Sequence, residues 1–331
     1  MPHHDASPTE PRLLRWETLN KRTFDQLDRA NCVVLVTCSP LEVHGPHLPF
    51  GADALEGDGL AHRMLRFLPE RHRTKTFLQL PFLYTATDTL PHPGSLFFHP
   101  STTQAVIRDL GRTLAAQGFR NILVSNFHGS PRHFLAIEQA CDTVSRERNI
   151  QMVCIFSVLL SRLTGGGSEL YEVLGRLPGV DKEDLVGDTH GGLVETSQLL
   201  ALHPEWVDRD YASLPRRTVD KWLDEQGEAP PPIQRGKPAG VLKMVKAFQG
   251  GLRFFRAETY AGAPGKASAE LGERILDTLG EKGAAAVTEI LDGTLPRSEW
   301  HSPLWKQRFW FTNPFMVAFF NRVLGIPKGI A

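Results

Sequence analysis

The run Asn31–Cys38 (NCVVLVTC) is the part of this chain that most constrains its fold. Its length and β-branched content read as a buried strand. The stretch after it is irregular and polar: Leu41–Asp53 (LEVHGPHLPFGAD) sets Glu42, His44, His47 and Asp53 among Gly45, Pro46, Pro49 and Gly51. Glycine and proline impose special backbone geometry, so these side chains are expected on a stiff loop rather than along a helix face. Loops at the carboxyl ends of strands are where open α/β sheets place their chemistry. Two carboxylates and two imidazoles this close together suit a borderline divalent ion such as Zn²⁺ or Mn²⁺.

The same strand-then-helix rhythm continues along the chain. Helices are expected at Leu55–Phe67, Ser101–Gln117, Arg132–Arg146, Leu193–Pro204 and Ser268–Leu279, and strands at Thr76–Tyr84, Asn121–Ser125 and Gln151–Ser157. In Ser101–Gln117, Val106, Ile107, Leu110 and Leu114 share a face, and Gly118 ends the helix. Leu14–Asp28 has mixed helix character, Thr85–Leu96 reads as a loop of turn-formers and hydroxyls, and Gly165–Asp181 and Leu214–Gly240 read as loops or surface excursions. Alternation of this kind predicts a mainly parallel sheet with helices on both faces.

At 331 residues there is room for one large α/β domain or two smaller ones. Thirty-seven basic residues balance 37 acidic ones, which gives no electrostatic ground for a nucleic-acid partner. Cys32, Cys38, Cys141 and Cys154 sit in apolar contexts without a CxxC pair, as small core residues of a reducing compartment do. With a polar, proline-bearing start and no long apolar run, a cytoplasmic location is expected. The expected organisation is a disordered lead at 1–12, a catalytic domain at 13–295 and an aromatic-rich tail at 296–331. Trp305–Leu324 (WKQRFWFTNPFMVAFFNRVL) either packs on the domain, covers a subunit interface or touches a membrane surface.

Ligand-type residues recur at strand ends and helix starts: Glu42, His44 and Asp53, then His128, then His190 and Glu195. Here the sequence resembles the creatininase (creatinine amidohydrolase) family. Glu42–Asp53 is similar to its E-x-H-G-P-H-L-P-x-x-x-D signature, and Asn126-Phe127-His128 to its N-G-H segment. His190–Ser197 is similar to its H-[AG]-G-x-x-E-T-S segment, and Gly262–Gly272 to a weaker G-x-P-x-x-A-x-x-x-x-G pattern. The resemblance implies a three-layer α/β/α sandwich with two divalent ions, Zn or Mn, with Fe as a further option. By analogy Glu42, Asp53 and His128 hold one ion, and His44, Asp53 and Glu195 the other, so that Asp53 bridges. Such a pair, about 3.5–4 Å apart, shares a hydroxide nucleophile and polarises a carbonyl. His190 is then the proton shuttle and His47 a support for the loop.

Departures bear on substrate. True creatininases carry a glutamate where Ser130 stands, glycine where Phe127 stands and a tryptophan where Val186 stands. Without an aromatic clamp, creatinine is not the expected substrate. The expectation is an amidohydrolase acting on a non-aromatic amide, lactam, formamide or short peptide, in a homo-oligomer as family members are. Two alternatives stay open: a mononuclear iron oxygenase using His44, His128 and Asp53 as a facial triad, and a non-catalytic scaffold of the same fold.

Overall fold

The computed structural model describes residues 11–164, 174–178, 180–228 and 241–324. Most of the expected lead at 1–12, part of the Gly165–Asp181 loop and the second half of the Leu214–Gly240 excursion lie outside those residues. A five-stranded, all-parallel sheet runs β1 (Arg12–Arg15), β3 (Thr76–Gln79), β2 (Val33–Thr37), β4 (Asn121–Ser125), β5 (Gln151–Cys154) across its width. All five residues of β2 are buried, and their side chains alternate between the two faces.

Val33 and Leu35 face one apolar layer, built with Leu60 and Met64 of α2 (Ala52–Phe67). Val158 and Leu159 of α6 (Ile155–Thr164) join it, as do Ile275 and Leu279 of α10 (Ala269–Leu291). Val34 and Val36 face the other, built with Ile107 and Leu114 of α4 (Pro100–Ala116) and Ile137 and Val144 of α5 (Pro131–Arg148). Phe24 of α1 (Lys21–Asp25) seals its margin. The three-layer α/β/α sandwich is therefore present. The crossover from β2 passes through α2 on one face and that from β4 through α5 on the other. The crevice between these two strands is thus a switch point of the sheet, where α/β folds bind their ligands.

Several expected boundaries move. Arg12–Arg15 is a parallel edge strand rather than lead or helix, because RLLR is too short and too charged at its ends to show a period. The strand expected over Thr76–Tyr84 ends at Gln79, since Pro81 has no N–H for the ladder, although Leu83 still pairs with Cys38. β5 stops at Cys154, and Ile155 opens α6. Proline at the first position starts both α4 and α5, where the missing N–H costs nothing. The four cysteines are buried and unpaired.

The C-terminal segment packs against α5. Glu138 accepts hydrogen bonds from the Ser302 N–H (3.0 Å) and from His301 Nδ1 (3.1 Å), and Thr312 Oγ1 donates to Gln139 (3.0 Å). The outer side of the terminal helix stays uncovered: Phe315, Phe319 and Val323 are 76%, 50% and 53% exposed. Among the described residues no helix is long and apolar enough to cross a membrane.

Candidate metal centre

Four segments deliver side chains to the switch-point crevice. Glu42 and His44 come from the loop after β2, as expected, but Asp53 lies in the first turn of α2 rather than in the loop. An aspartate there gains from the helix dipole, whose positive end faces the crevice. His128 follows β4. Glu195 sits in the first turn of α7 (Leu193–Leu202), again an acid at a helix start.

Ligand atoms of Glu42, Asp53 and His128 fall within 4.8 Å of one another, as do those of His44, Asp53 and Glu195. These are the two trios expected by analogy, with Asp53 in both. A third trio, Glu42, His44 and His190, meets the same limit. Glu42, His44, Asp53 and His128 are each at most 7% exposed. The three residues of an iron facial triad, His44, His128 and Asp53, do not form one of these trios: the two histidines approach different oxygens of Asp53, and Glu42 and Glu195 crowd in as further carboxylates.

Hydrogen bonding decides which atoms face inward. His128 Nε2–H donates to the Thr87 carbonyl at 3.0 Å, which turns Nδ1 toward Glu42 Oε2 (3.1 Å) and Asp53 Oδ2 (3.3 Å). His44 Nδ1–H donates to the Glu42 carbonyl at 3.0 Å, and its Nε2 lies 3.5 Å from Asp53 and 3.8 Å from Glu195. In each case the nitrogen aimed at the carboxylates bears a lone pair in the neutral ring. Glu42 Oε2 and Asp53 Oδ2 are buried and have no hydrogen-bond donor. Converging acceptors of this kind require a cation. The donor set, imidazole nitrogens with carboxylate oxygens, is the mixed set that Zn²⁺ and Mn²⁺ accept.

The protein's own charges tell the same story. Burial alone would lower the pKa of His44, but Asp53, Glu195 and Glu42 outweigh it and raise it to about 10. His128 is likewise pushed up against its burial by Glu42 and Asp53. Burial and the Asp53 charge lift Glu195 to about 7 despite His44. The pocket is charged to hold positive ions.

His190 differs. Burial, then the neighbouring His44, lowers it to about 4, so the ring is neutral at pH 7. It stacks on His44 with ring centres 4.1 Å apart, and Nε2–H donates to the Val43 carbonyl at 2.7 Å, leaving Nδ1 free of that bond. Its backbone is pinned to Ala261 by a pair of hydrogen bonds. The motif around Gly262 explains itself here: φ is +146°, and a Cβ would sit 1.8 Å from Asp188 Oδ1. Asp188 in turn caps α7, accepting from the N–H groups of Leu193 (2.6 Å) and Val194 (3.0 Å).

Of the remaining expected residues, His47 is buried and bonded through Nε2 to Thr196 Oγ1 at 2.8 Å, tying the ligand loop to α7. Phe127 is partly buried against the core, with its N–H directed to Ser39 Oγ (3.3 Å). Ser130 donates to Asp88 Oδ2 at 3.1 Å. Val186 is exposed, and its carbonyl holds Arg216 at 2.7 Å. Three contributors escaped sequence reasoning. Thr87 and Leu90 act through backbone atoms, which carry no residue signal. Phe255, whose ring stands edge-on 5.9 Å from His190, comes from α9 (Val241–Ala257), a segment for which no element was expected.

The sequence model of the family described as creatinine amidohydrolase (creatininase) matches residues 17–287, ending before the aromatic tail. A creatinine amidohydrolase of Pseudomonas putida is 26% identical over 186 residues, 54% of this chain and 68% of that protein. A manganese creatininase structure superposes with a TM-score of 0.54 at 20% identity, covering 86% of this chain and all of the other. A mutant creatininase complexed with creatine superposes with a TM-score of 0.53 at 21% identity, covering 86% of this chain and 100% of its own. These structural likenesses agree with the sandwich and the sheet. With a family match over most of its length, this chain belongs to the creatininase family.

Proposed function

We propose that this protein hydrolyses a C–N amide bond of a small molecule, using two divalent ions. Glu42, Asp53 and His128 would hold one and His44, Asp53 and Glu195 the other. The observation that carries this reading is the convergence of inward lone pairs and donor-less carboxylate oxygens on one buried point. When bound, two such ions supply a nucleophilic water at neutral pH and polarise the amide carbonyl.

The chain's own groups do the rest. Asp53, in the first turn of α2, would serve both sites, since its Oδ1 lies 3.5 Å from His44 Nε2 and its Oδ2 3.3 Å from His128 Nδ1. His190, neutral at pH 7 and held by Val43 and Ala261, takes a proton at Nδ1 and returns it to the departing nitrogen. Ser130 and an exposed Val186 leave the pocket without the glutamate and tryptophan that true creatininases have there, which supports an amide, lactam, formamide or short peptide over creatinine. Among ions, Mn and Zn are those named for related structures.

Metal analysis together with a panel of amides tests this. Wild type should carry about two ions per chain. Asp53→Ala should lose ions and turnover, whereas His190→Ala should keep its ions and lose about 10²–10⁴-fold in kcat. Full activity after exhaustive metal removal would refute the reading.

A further inference from the structure

The connection from β3 to α4 reaches into the metal centre with backbone atoms. The Thr87 carbonyl accepts from His128 Nε2–H at 3.0 Å, and the Leu90 N–H donates to Glu42 Oε1 at 2.5 Å. Both side chains so held belong to one trio, that of Glu42, Asp53 and His128. Between them Asp88 adopts φ of 59°, the left-handed region that a non-glycine residue enters at a cost. That turn brings the Thr87 carbonyl and the Leu90 amide onto the same pair of ligands.

The pairing of Leu83 with Cys38 and the bond from the Phe98 N–H to the Ala86 carbonyl fix the connection on either side, and something must also hold the turn itself in place. The Asp88 carboxylate does so. Its Oδ2 accepts from Ser130 Oγ at 3.1 Å and its Oδ1 from Arg132 Nη1 at 3.0 Å, at the start of α5. Arg132, itself only 7% exposed, donates again from Nη1 to Asn321 Oδ1 at 2.7 Å, on the terminal helix α12 (Pro314–Leu324). A continuous chain of polar contacts thus runs from the tail to the ligands of one ion.

We infer that Asp88 is a positioning residue for the ion held by Glu42, Asp53 and His128, and that Asn321 extends this support into the C-terminal tail. The inference rests on the two-ion reading above. It explains why a partly buried aspartate holds a strained backbone: the carboxylate anchors what the strain aims. It also separates the two ions, since neither Thr87 nor Leu90 bonds to His44 or Glu195.

The test is ion stoichiometry and affinity of the full-length protein loaded with Mn²⁺ or Zn²⁺, titrated against a competing chelator. Asp88→Gly keeps the left-handed turn without its cost but removes both anchors. One ion should stay as tight as in wild type while the other weakens roughly 10–100-fold, the usual range for outer support of a ligand. Asp88→Asn, which retains an acceptor oxygen and tolerates this φ, should weaken that same ion less, and Asn321→Ala should shift it in the same direction. Should Asp88→Gly fail to fold, as judged by its circular dichroism, the Asp88→Asn titration decides. Two ions of wild-type affinity in the folded aspartate variants would overturn the proposal while leaving the two-ion reading intact. Equal weakening of both ions would overturn it as well. Wild type binding fewer than about two ions would overturn the reading itself and the proposal with it. No shift in Asn321→Ala would remove the tail from the scheme.

Discussion

His128 and His133 are near neighbours along the chain, with ring centres separated by 5.4 Å, yet their surroundings drive them in opposite directions. His128 faces carboxylates. His133 is wholly buried and bonded through Nε2 to the Cys38 carbonyl at 3.0 Å; burial, then the His128 charge, lowers it to about 3. Its folded pKa is thus below the unfolded value near 6.5. Its contribution to stability is present above about pH 6.5 and is lost as pH falls toward 3, because only the unfolded chain takes up the proton. In the window between these values, the stability advantage of wild type over His133→Gln should shrink by about 1.4 kcal/mol per pH unit as pH falls. Urea unfolding of both proteins at a series of pH values reads this directly. A constant difference would show that His133 is already charged in the native protein.

At the level of elements, the site depends on how closely helices approach each other. α7 carries Glu195 and is pressed against α10 at Gly272, where a Cβ would lie 1.8 Å from the Ser197 carbonyl oxygen. Gly272→Ala must therefore force these helices apart, and overpacking of this kind costs roughly 1–3 kcal/mol. Because α7 moves, Glu195 moves with it. The denaturant midpoint should fall, and the ion held by His44, Asp53 and Glu195 should bind more weakly. An unchanged midpoint would mean that the contact yields at no cost.

This pair of helices also shows what could be read from sequence. Gly262 and Gly272 belong to a pattern seen in the chain, but only the structure reveals their reasons, one a cap and the other a helix contact. His44, His128 and Glu195 were legible because ligand chemistry restricts residue type. The strands at Val33–Thr37 and Asn121–Ser125 were legible because burial on both faces demands apolar runs. Arg12–Arg15 was not, since an edge strand needs no such run. Nor were Thr87 and Leu90, since any residue offers a carbonyl, and every residue except proline an amide. Asp53 was legible as a residue of ligand type but misplaced in local structure: glycine and proline before it pointed to a loop, while α2 begins one residue earlier.

For the molecule as a whole, the two-ion proposal ties stability to bound cations, because the carboxylates of the site are buried beside one another. Glu42, Asp53 and Glu195 repel one another, and the fully buried Glu56, one turn on from Asp53, is pushed well above its ordinary pKa by burial and by Glu195 and Asp53. Chelation should lower the thermal midpoint by several degrees. Each ion present at a thousand times its Kd contributes about 4 kcal/mol, a quantity that re-addition of Mn²⁺ or Zn²⁺ should restore in scanning calorimetry. A midpoint indifferent to chelator would argue against tight ion binding.

The ligands of the two trios are spread unevenly along the chain, and this orders their assembly during synthesis. Glu42, Asp53 and His128 have all been made once β4 and its loop leave the ribosome, so one cradle has its full complement while much of the polypeptide is still untranslated. The second waits for Glu195, nearly seventy residues later. If the terminal helix steadies the earlier cradle through Asn321, the first pocket to gain its ligands is the last to be locked.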